Sequence, residues 1–188
     1  IQGFPFFGPL SVPKVLAGTA FTFSGGLHWQ RHIETCLKGQ MDPPLFPVSF
    51  EEIEAIGGKL EFNGIHDQMS FKIPDGEGDY LTCYCRKLDH PNETYGWRRS
   101  YKGKIFAFTT DNEPRDPLRP SPSLVDLARE ADLWATDCQY FQSVYNGDGG
   151  QLTRHGWGHS YPEAVAETAV QAGVKSLVLT HHDPEAED

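Results

Sequence analysis

Histidine and aspartate residues follow several hydrophobic segments of this sequence, at positions where their side chains could do chemistry. The chain ends in KSLVLTHHDPEAED, so His181, His182 and Asp183 come directly after an apolar run. Asp111 follows KIFAFTT, and Asp137 follows DLWAT. Imidazole and carboxylate groups bind divalent metal ions and transfer protons. Taken singly, each residue also has a simpler structural interpretation, as part of a polar turn.

The segments that must position these residues alternate between strand and helix. KIFAFTT, DLWAT and KSLVLT predict strands, and SLVDLAREA and SYPEAVAETAVQAG predict helices. In the second helix we predict Ser160 as N-cap, Glu163 as its capping-box partner and Gly173 as the stop. Such alternation predicts parallel strands joined by crossover helices, and thus an α/β fold.

The first half of the sequence has a different pattern. KLEFNGI, MSFKI, YLTCYCRKL and TYGWRRSY alternate like antiparallel strands, so we predict a mixed sheet. Residues 1–20 predict a packed loop, residues 29–39 a short helix and residues 51–56 a helical turn. The Pro-rich DNEPRDPLRPSPS and the Gly-rich QSVYNGDGGQLTRHGWGH predict long loops, which are usually functional in a compact domain.

The predicted strand ends bring the polar residues together. In open α/β sheets, ligands bind outside the carboxyl ends of the strands, where Asp111, Asp137 and His181 lie. His159 directly precedes the second helix, and His90 follows YLTCYCRKL. Histidine and aspartate without paired cysteines suit zinc or a similar divalent ion. Such an ion lowers the pKa of bound water to about 7, and two ions roughly 3.5–4 Å apart can clamp a phosphate ester.

Composition sets wider limits. A length of 188 residues predicts one domain, and the formal charge of −10 argues against a broad nucleic-acid or anionic-membrane surface. We expect no transmembrane helix, because no apolar run approaches about 18 residues. The four scattered cysteines fit a reducing cytoplasm. Cys83 and Cys85 form only a weak zinc signal, and small strand residues are the favoured interpretation.

Five motifs carry a resemblance to a known superfamily. They are LDHPNETYGWR, FAFTTDNEP, ADLWATDCQY, GWGHSYPEA and VKSLVLTHHDPE. Their order is that of the metallo-β-lactamase-fold hydrolases, and the sequence most resembles the RNase Z-like and phosphodiesterase-like branch. The resemblance implies the α/β fold of that superfamily, an αββα four-layer sandwich, here lacking its first strands. It also implies two divalent ions in the intact parent protein, zinc before manganese or iron.

The resemblance implies metal ligands at three positions. By analogy, His90 would bind one metal, Asp111 would bridge both metals, and His181 would bind the second. His182 is the alternative to His181, and we prefer His181 because the first histidine after threonine is the ligand in related motifs.

The resemblance implies further roles beside the metals. His159 would protonate the leaving oxygen, and Asp137 would orient His159. Trp157 and Ser160 are the expected substrate contacts, Trp157 as a wall of the site and Ser160 at a helix N-terminus that faces a phosphate.

One superfamily motif does not occur in this sequence. The signature H-x-H-x-D-H is absent, and His28-x-x-x-His32 has the wrong spacing. In relatives, the segment resembling IQGFPFFGP follows that signature, so we expect residues 1–188 to be one domain forming the C-terminal portion of a longer chain. With three ligands divided between two positions, this chain alone is expected to bind metal weakly, as a mononuclear site.

The expected function is metal-dependent hydrolysis. We predict cleavage of a phosphodiester by metal-bound hydroxide, with a histidine general acid and a small anionic substrate such as a nucleotide. A lactone or thioester hydrolase of the same fold stays open, as does a non-catalytic sensory or interaction domain with a degenerate metal site. We expect no large nucleic-acid surface and no membrane partner, and we leave a homodimer open.

Overall fold

The computed structural model describes residues 20–26, 33–55, 59–116 and 118–184. The chain divides into two compact units, Ile1–Ile65 and His66–Asp188. The predicted loop over residues 1–20 lies almost entirely outside the described residues, as do the first residues of the predicted helix over 29–39. The prediction of a single domain over 1–188 stays a prediction.

The first unit contains a two-stranded parallel sheet. Strands β1 and β2 are joined along the chain by helices α1 and α2 and pair from Ala20 with Lys59 to Gly25 with Gly64. Its apolar core includes Leu37, Met41 and Phe50, with Phe62 packed against them. The elements are β1 Ala20–Gly25, α1 Ile33–Lys38, α2 Phe50–Ala55 and β2 Lys59–Gly64.

The second unit is built on a mixed sheet of six strands. Its strands lie in sequence order, with antiparallel pairing from β3 to β6 and parallel pairing from β6 to β8. The predicted mixed sheet is therefore confirmed for these six strands, each of which matches a predicted segment. KLEFNGI, which was predicted to be antiparallel, instead forms β2 and pairs in parallel with β1 in the other sheet. The strands are β3 Ser70–Pro74, β4 Tyr80–Lys87, β5 Tyr95–Tyr101, β6 Lys104–Thr109, β7 Leu133–Asp137 and β8 Leu177–Thr180.

Two α-helices described in this unit form its main core with the sheet. They are α3, Pro122–Ala128, and α5, Pro162–Ala172, whereas α4, Gln142–Asn146, lies within the predicted Gly-rich loop and was not predicted. Trp134 and Leu127 are fully buried in this core. The longest described helix has 11 residues, and none in the described part of the chain is a candidate membrane span.

The start of α5 differs from the prediction. Its N-cap is Tyr161 rather than Ser160, and no side chain caps it. The Ser160 hydroxyl instead donates to the carbonyl of Asn112, and the Ser160 N–H donates to Asp137. These long-range partners take the polar groups that the capping-box pattern had assigned to the helix. The predicted stop is confirmed, because Gly173 ends α5 in the left-handed conformation that glycine adopts readily.

Candidate active site

The parallel strands bring three predicted site residues to one edge of the sheet. Asp137 is the last residue of β7 and pairs with Thr180, the last residue of β8. His181 therefore follows immediately beside it, and Asp111 follows β6 on the other side. Asp111 and His181 both have positive φ, 58° and 61°. A left-handed backbone is uncommon outside glycine. At both residues it changes the direction of the chain just after the strand ends.

The Asp137 carboxylate lies at the centre of this edge and is fully buried. Its Oδ2 accepts hydrogen bonds from the Asp111 N–H at 3.1 Å and from His159 Nδ1 at 2.6 Å. Its Oδ1 accepts from the Ser160 N–H at 2.8 Å. A carboxylate only accepts hydrogen bonds, so Nδ1 of His159 carries a proton and Nε2 is the nitrogen available for chemistry.

Opposing effects set the pKa of His159. Burial lowers the pKa, but the hydrogen bond and negative charge of Asp137 raise it, with smaller contributions from Asp111 and Glu113. The balance is a raised pKa, so the imidazolium form persists to higher pH than in an ordinary histidine. This shift suits a group that donates a proton near neutral pH.

His90 reaches the site from the loop after β4. Its Nδ1 lies 3.1 Å from both the N–H and the carbonyl oxygen of Asn92, and 3.2 Å from the Thr94 hydroxyl. These contacts orient the ring through Nδ1. Its centroid lies 6.0 Å from that of His159, and the ring of His181 stacks on His159 at 4.9 Å. The rings of His90 and His181 therefore both lie beside that of His159.

The side chains fit a divalent metal ion by type and spacing. In one group, His90, Asp111 and His159 have ligand atoms within 4.8 Å of one another, and Asp137, His159 and His181 form a second such group. Asp111 Oδ1 also lies 3.9 Å from His181 Nε2. Asp137 is the least suited ligand, because its oxygens already accept three hydrogen bonds. Nitrogen and oxygen donors of this kind suit zinc or a similar ion.

The alternative ligand, His182, is engaged elsewhere. Its Nδ1 lies 3.2 Å from the Cys138 carbonyl oxygen and its Nε2 lies 3.1 Å from that of Leu179. Neither group of potential ligands in the described residues includes it. This geometry favours His181 as the ligand, as the sequence motif did.

The two predicted substrate contacts lie in different environments. Trp157 is 48% exposed, and the Arg154 guanidinium lies 4.6 Å from its ring centroid. Ser160 is buried, and its hydroxyl and N–H are both bonded within the protein. Substrate contact by Ser160 thus stays a prediction, and this geometry does not favour it.

Sequence reasoning missed Glu113 as part of the site. Its carboxylate accepts from the Tyr145 hydroxyl and from the N–H groups of Gly156 and Gly158. Glu113 lies only two residues after Asp111, but its partners are 32 to 45 residues away, so no local pattern marks it. A cavity of about 450 Å³ is lined in part by Glu113, Tyr145 and His90.

Comparison with known proteins identifies the family. The family described as "Beta-lactamase superfamily domain" matches residues 40–182. This chain belongs to that superfamily. The crystal structure of the metallo-beta-lactamase fold protein YhfI from Bacillus subtilis superposes with a TM-score of 0.57 at 12% identity, over 89% of this chain and 54% of that chain. The predicted metallo-β-lactamase-like α/β fold is therefore confirmed.

Two further superfamily relatives come from the RNase Z-like branch. Ribonuclease Z of Brevibacillus brevis is 36% identical over 86 residues, which cover 46% of this chain and 23% of that protein. The short form of human tRNase Z has a TM-score of 0.55 at 17% identity, over 94% of this chain and 71% of that chain. These relatives confirm the predicted resemblance to this branch. The chain spans about a quarter of the length of the bacterial enzyme.

Proposed function

We propose that this protein takes part in metal-dependent hydrolysis of phosphodiester bonds. The observation that carries the proposal is the buried Asp137–His159 pair beside His90, Asp111 and His181. A metal ion and a proton donor each lower the barrier to cleaving an ester with a poor leaving group. The superfamily match and the names of the ribonuclease relatives support the same chemistry.

Zinc is the ion that we propose for the site, with manganese and iron as alternatives. His90, Asp111 and His181 would hold it, because a ligand atom of Asp111 lies within 4.8 Å of one of His90 and its Oδ1 lies 3.9 Å from Nε2 of His181. When bound, such an ion supplies positive charge for a phosphoryl oxygen and lowers the pKa of water to about 7.

His159 is the proposed general acid. Asp137 holds its Nδ1 proton, so Nε2 is the nitrogen that would donate a proton to a leaving oxygen. The raised pKa keeps the ring protonated to higher pH than in an ordinary histidine. Asp137 is thus the residue that orients the ring and stabilises its positive charge.

We propose a short phosphodiester, such as a nucleotide, as substrate. The ribonuclease names favour a bond of the nucleic-acid type, but a net charge of −10 repels a long polyanion. Trp157 is the proposed contact for the substrate, and Arg154 stacked on it adds a positive charge to the same surface.

Replacing His159 with alanine tests this proposal. The zinc-loaded chain should hydrolyse a dinucleoside monophosphate and bis(p-nitrophenyl) phosphate faster than a lactone or a thioester. His159→Ala should lower kcat on the dinucleoside substrate by about 10²–10⁴, because the leaving oxygen then departs unprotonated. The loss on bis(p-nitrophenyl) phosphate should be smaller, because p-nitrophenolate needs no proton to leave. Metal content, measured by mass spectrometry, should be unchanged, because His159 is assigned as the acid. Loss of metal would show instead that His159 is a ligand, as its place in both groups of potential ligands allows.

His66→Ala is the matched control, because His66 is exposed and its ring contacts only the neighbouring Asp67 carbonyl among the hydrogen bonds described. It should retain the full rate. Full activity of His159→Ala on the dinucleoside substrate would contradict the general-acid role. Turnover of only the lactone or the thioester would contradict the phosphodiester assignment.

A further inference from the structure

One carboxylate binds two backbone N–H groups of the loop that carries His159. In the Gly-rich segment 147–159, the Gly156 N–H donates to Glu113 Oε1 at 2.7 Å and the Gly158 N–H donates to Oε2 at 2.9 Å. The Tyr145 hydroxyl, from α4 just before the segment, donates to Oε1 at 2.8 Å. Three donors from the loop region therefore converge on one side chain.

Glu113 lies in the segment that follows β6, and hydrogen bonds join this segment to Asp89 in the loop after β4. Its N–H donates to the Asp89 carbonyl at 2.7 Å. The neighbouring Asn112 is 2% exposed, and its Oδ1 accepts from the Asp89 N–H at 3.2 Å. The same segment carries Asp111. The Glu113 carboxylate is therefore fixed with respect to one proposed metal ligand and bonded to the loop of the proposed acid.

The loop also lies against a second proposed ligand. A methyl group added to Gly158 would lie 2.0 Å from Cδ2 of the His90 ring and 2.9 Å from Pro91. Gly158 has φ of 91°, a conformation that glycine adopts without strain. The backbone one residue before His159 therefore packs directly on His90, and a displaced loop would move the acid away from the metal ligands.

From these contacts we infer that Glu113 is a positioning residue: by binding the N–H groups of Gly156 and Gly158, it sets His159 against His90 and Asp111. It acts through His159 and does not itself touch the reacting atoms. The catalytic part of this inference rests on the proposed function, whereas the structural part does not.

Glu113→Gln is the test variant, because it keeps the side-chain shape but turns one acceptor into an NH₂ donor. In either orientation, that NH₂ opposes a loop N–H, so at least one bond is lost. Trypsin should then cut after Arg154, within the loop, several-fold faster in zinc-free protein. Cleavage after Lys102, in the β5–β6 hairpin, gives the internal reference rate.

Glu167→Gln is the matched control, because it makes the same change on the exposed face of α5. Its cleavage rate after Arg154 should equal that of the parent chain. Tyr145→Phe removes one of the three donors and should give a smaller increase than Glu113→Gln. Tyr145→Phe also keeps the test valid if Glu113→Gln does not fold. An unchanged rate after Arg154 in both folded variants, or in Tyr145→Phe alone if Glu113→Gln is unfolded, would overturn the inference.

A double-mutant cycle tests whether Glu113 acts through His159. Glu113→Gln should lower kcat on the dinucleoside monophosphate at least tenfold, with little change in KM and less loss on bis(p-nitrophenyl) phosphate. Added to His159→Ala, it should cause no further loss, because the group that it positions is already gone. Additive losses would overturn the positioning role. If the chain hydrolyses no phosphodiester, the proposed function fails, and the proteolysis result still decides whether Glu113 holds the loop.

Discussion

At the scale of single residues, the site is arranged around the Asp137 carboxylate. It accepts one hydrogen bond from each of three residues: Asp111 after β6, His159 at the end of the Gly-rich loop, and the adjacent Ser160. It is buried without a cation from lysine or arginine among its described partners. Its negative charge is therefore balanced by N–H dipoles and by the imidazole of His159.

Asp137→Asn should lower the pKa of His159. The carboxylate charge that raises the pKa is removed, while the burial that lowers it stays. The NH₂ group of the new asparagine must also face one of the buried N–H donors that Asp137 accepts from, so one hydrogen bond is lost. We therefore expect the free energy of unfolding to fall by about 1–3 kcal/mol. NMR titration of the His159 ring in zinc-free protein and thermal denaturation measure these effects.

The control for this change is Asp148→Asn, in an exposed turn. It should alter neither the pKa of His159 nor the melting temperature. A His159 pKa that is equal or higher in Asp137→Asn would show that the carboxylate does not stabilise the imidazolium ion.

At the scale of elements, Asp132 joins the starts of the three parallel strands. The residue precedes β7, and its carboxylate accepts from the Ile105 N–H of β6 at 2.9 Å. Lys104 of β6 and Lys175, which precedes β8, donate to it at 3.2 and 3.1 Å. These contacts lie at the ends of the strands opposite to the proposed active site. They therefore stabilise the sheet without contacting the site.

Asp132→Asn should make the melting temperature fall less between pH 7 and pH 3. The backbone hydrogen bond from Ile105, followed by the contacts with Lys175 and Lys104, lowers the pKa of Asp132 to about 2. A lowered pKa contributes stability that is present above the ordinary value of about 3.9 and is lost as pH falls toward 2. Calorimetric melting temperatures at pH 7 and pH 3 test this.

The variant should melt below the parent chain at pH 7, and the difference should shrink at pH 3. Asp148→Asn again serves as the control and should follow the parent at both values. A difference that stays constant between pH 7 and pH 3 would contradict an ion-paired Asp132.

At the scale of the whole molecule, the proposed metal ligands come from distant parts of the second unit. Asp111 comes close to both His90 and His181 only when β4, β6 and β8 have assembled into one sheet. Asp111 and His181 are each about one third exposed, so the proposed site opens to solvent. His28 and His32, which have the wrong spacing for the superfamily signature, lie outside the described residues.

Zinc titration of this chain should reveal at most one ion, bound more weakly than at micromolar affinity. Three protein ligands divided between two positions leave either position short of the usual tetrahedral set. His181→Ala should abolish this binding, whereas His182→Ala should retain it, because the His182 nitrogens contact backbone carbonyls. Isothermal calorimetry measures both, and two ions bound at micromolar affinity or tighter would contradict the expectation.

The sequence alone determined most strands and helices of the second unit and the edge of its sheet at which the proposed site lies. Local periodicity marks β3 to β8, α3 and α5, because each buries one face against its neighbours. Asp111, Asp137 and His181 follow apolar strands, and parallel pairing must bring such residues to one edge. Their meeting was therefore predictable from strand order and chain direction.

Only the tertiary structure decided how these residues are held. Ser160 was predicted as a helix cap, but it bonds to Asn112 and Asp137, which are 48 and 23 residues away. Glu113 has no local signature, yet it binds two glycines more than 40 residues later in the chain. Sequence patterns report on contacts within a few residues, whereas buried polar groups take whichever partners the folded chain brings within hydrogen-bond distance.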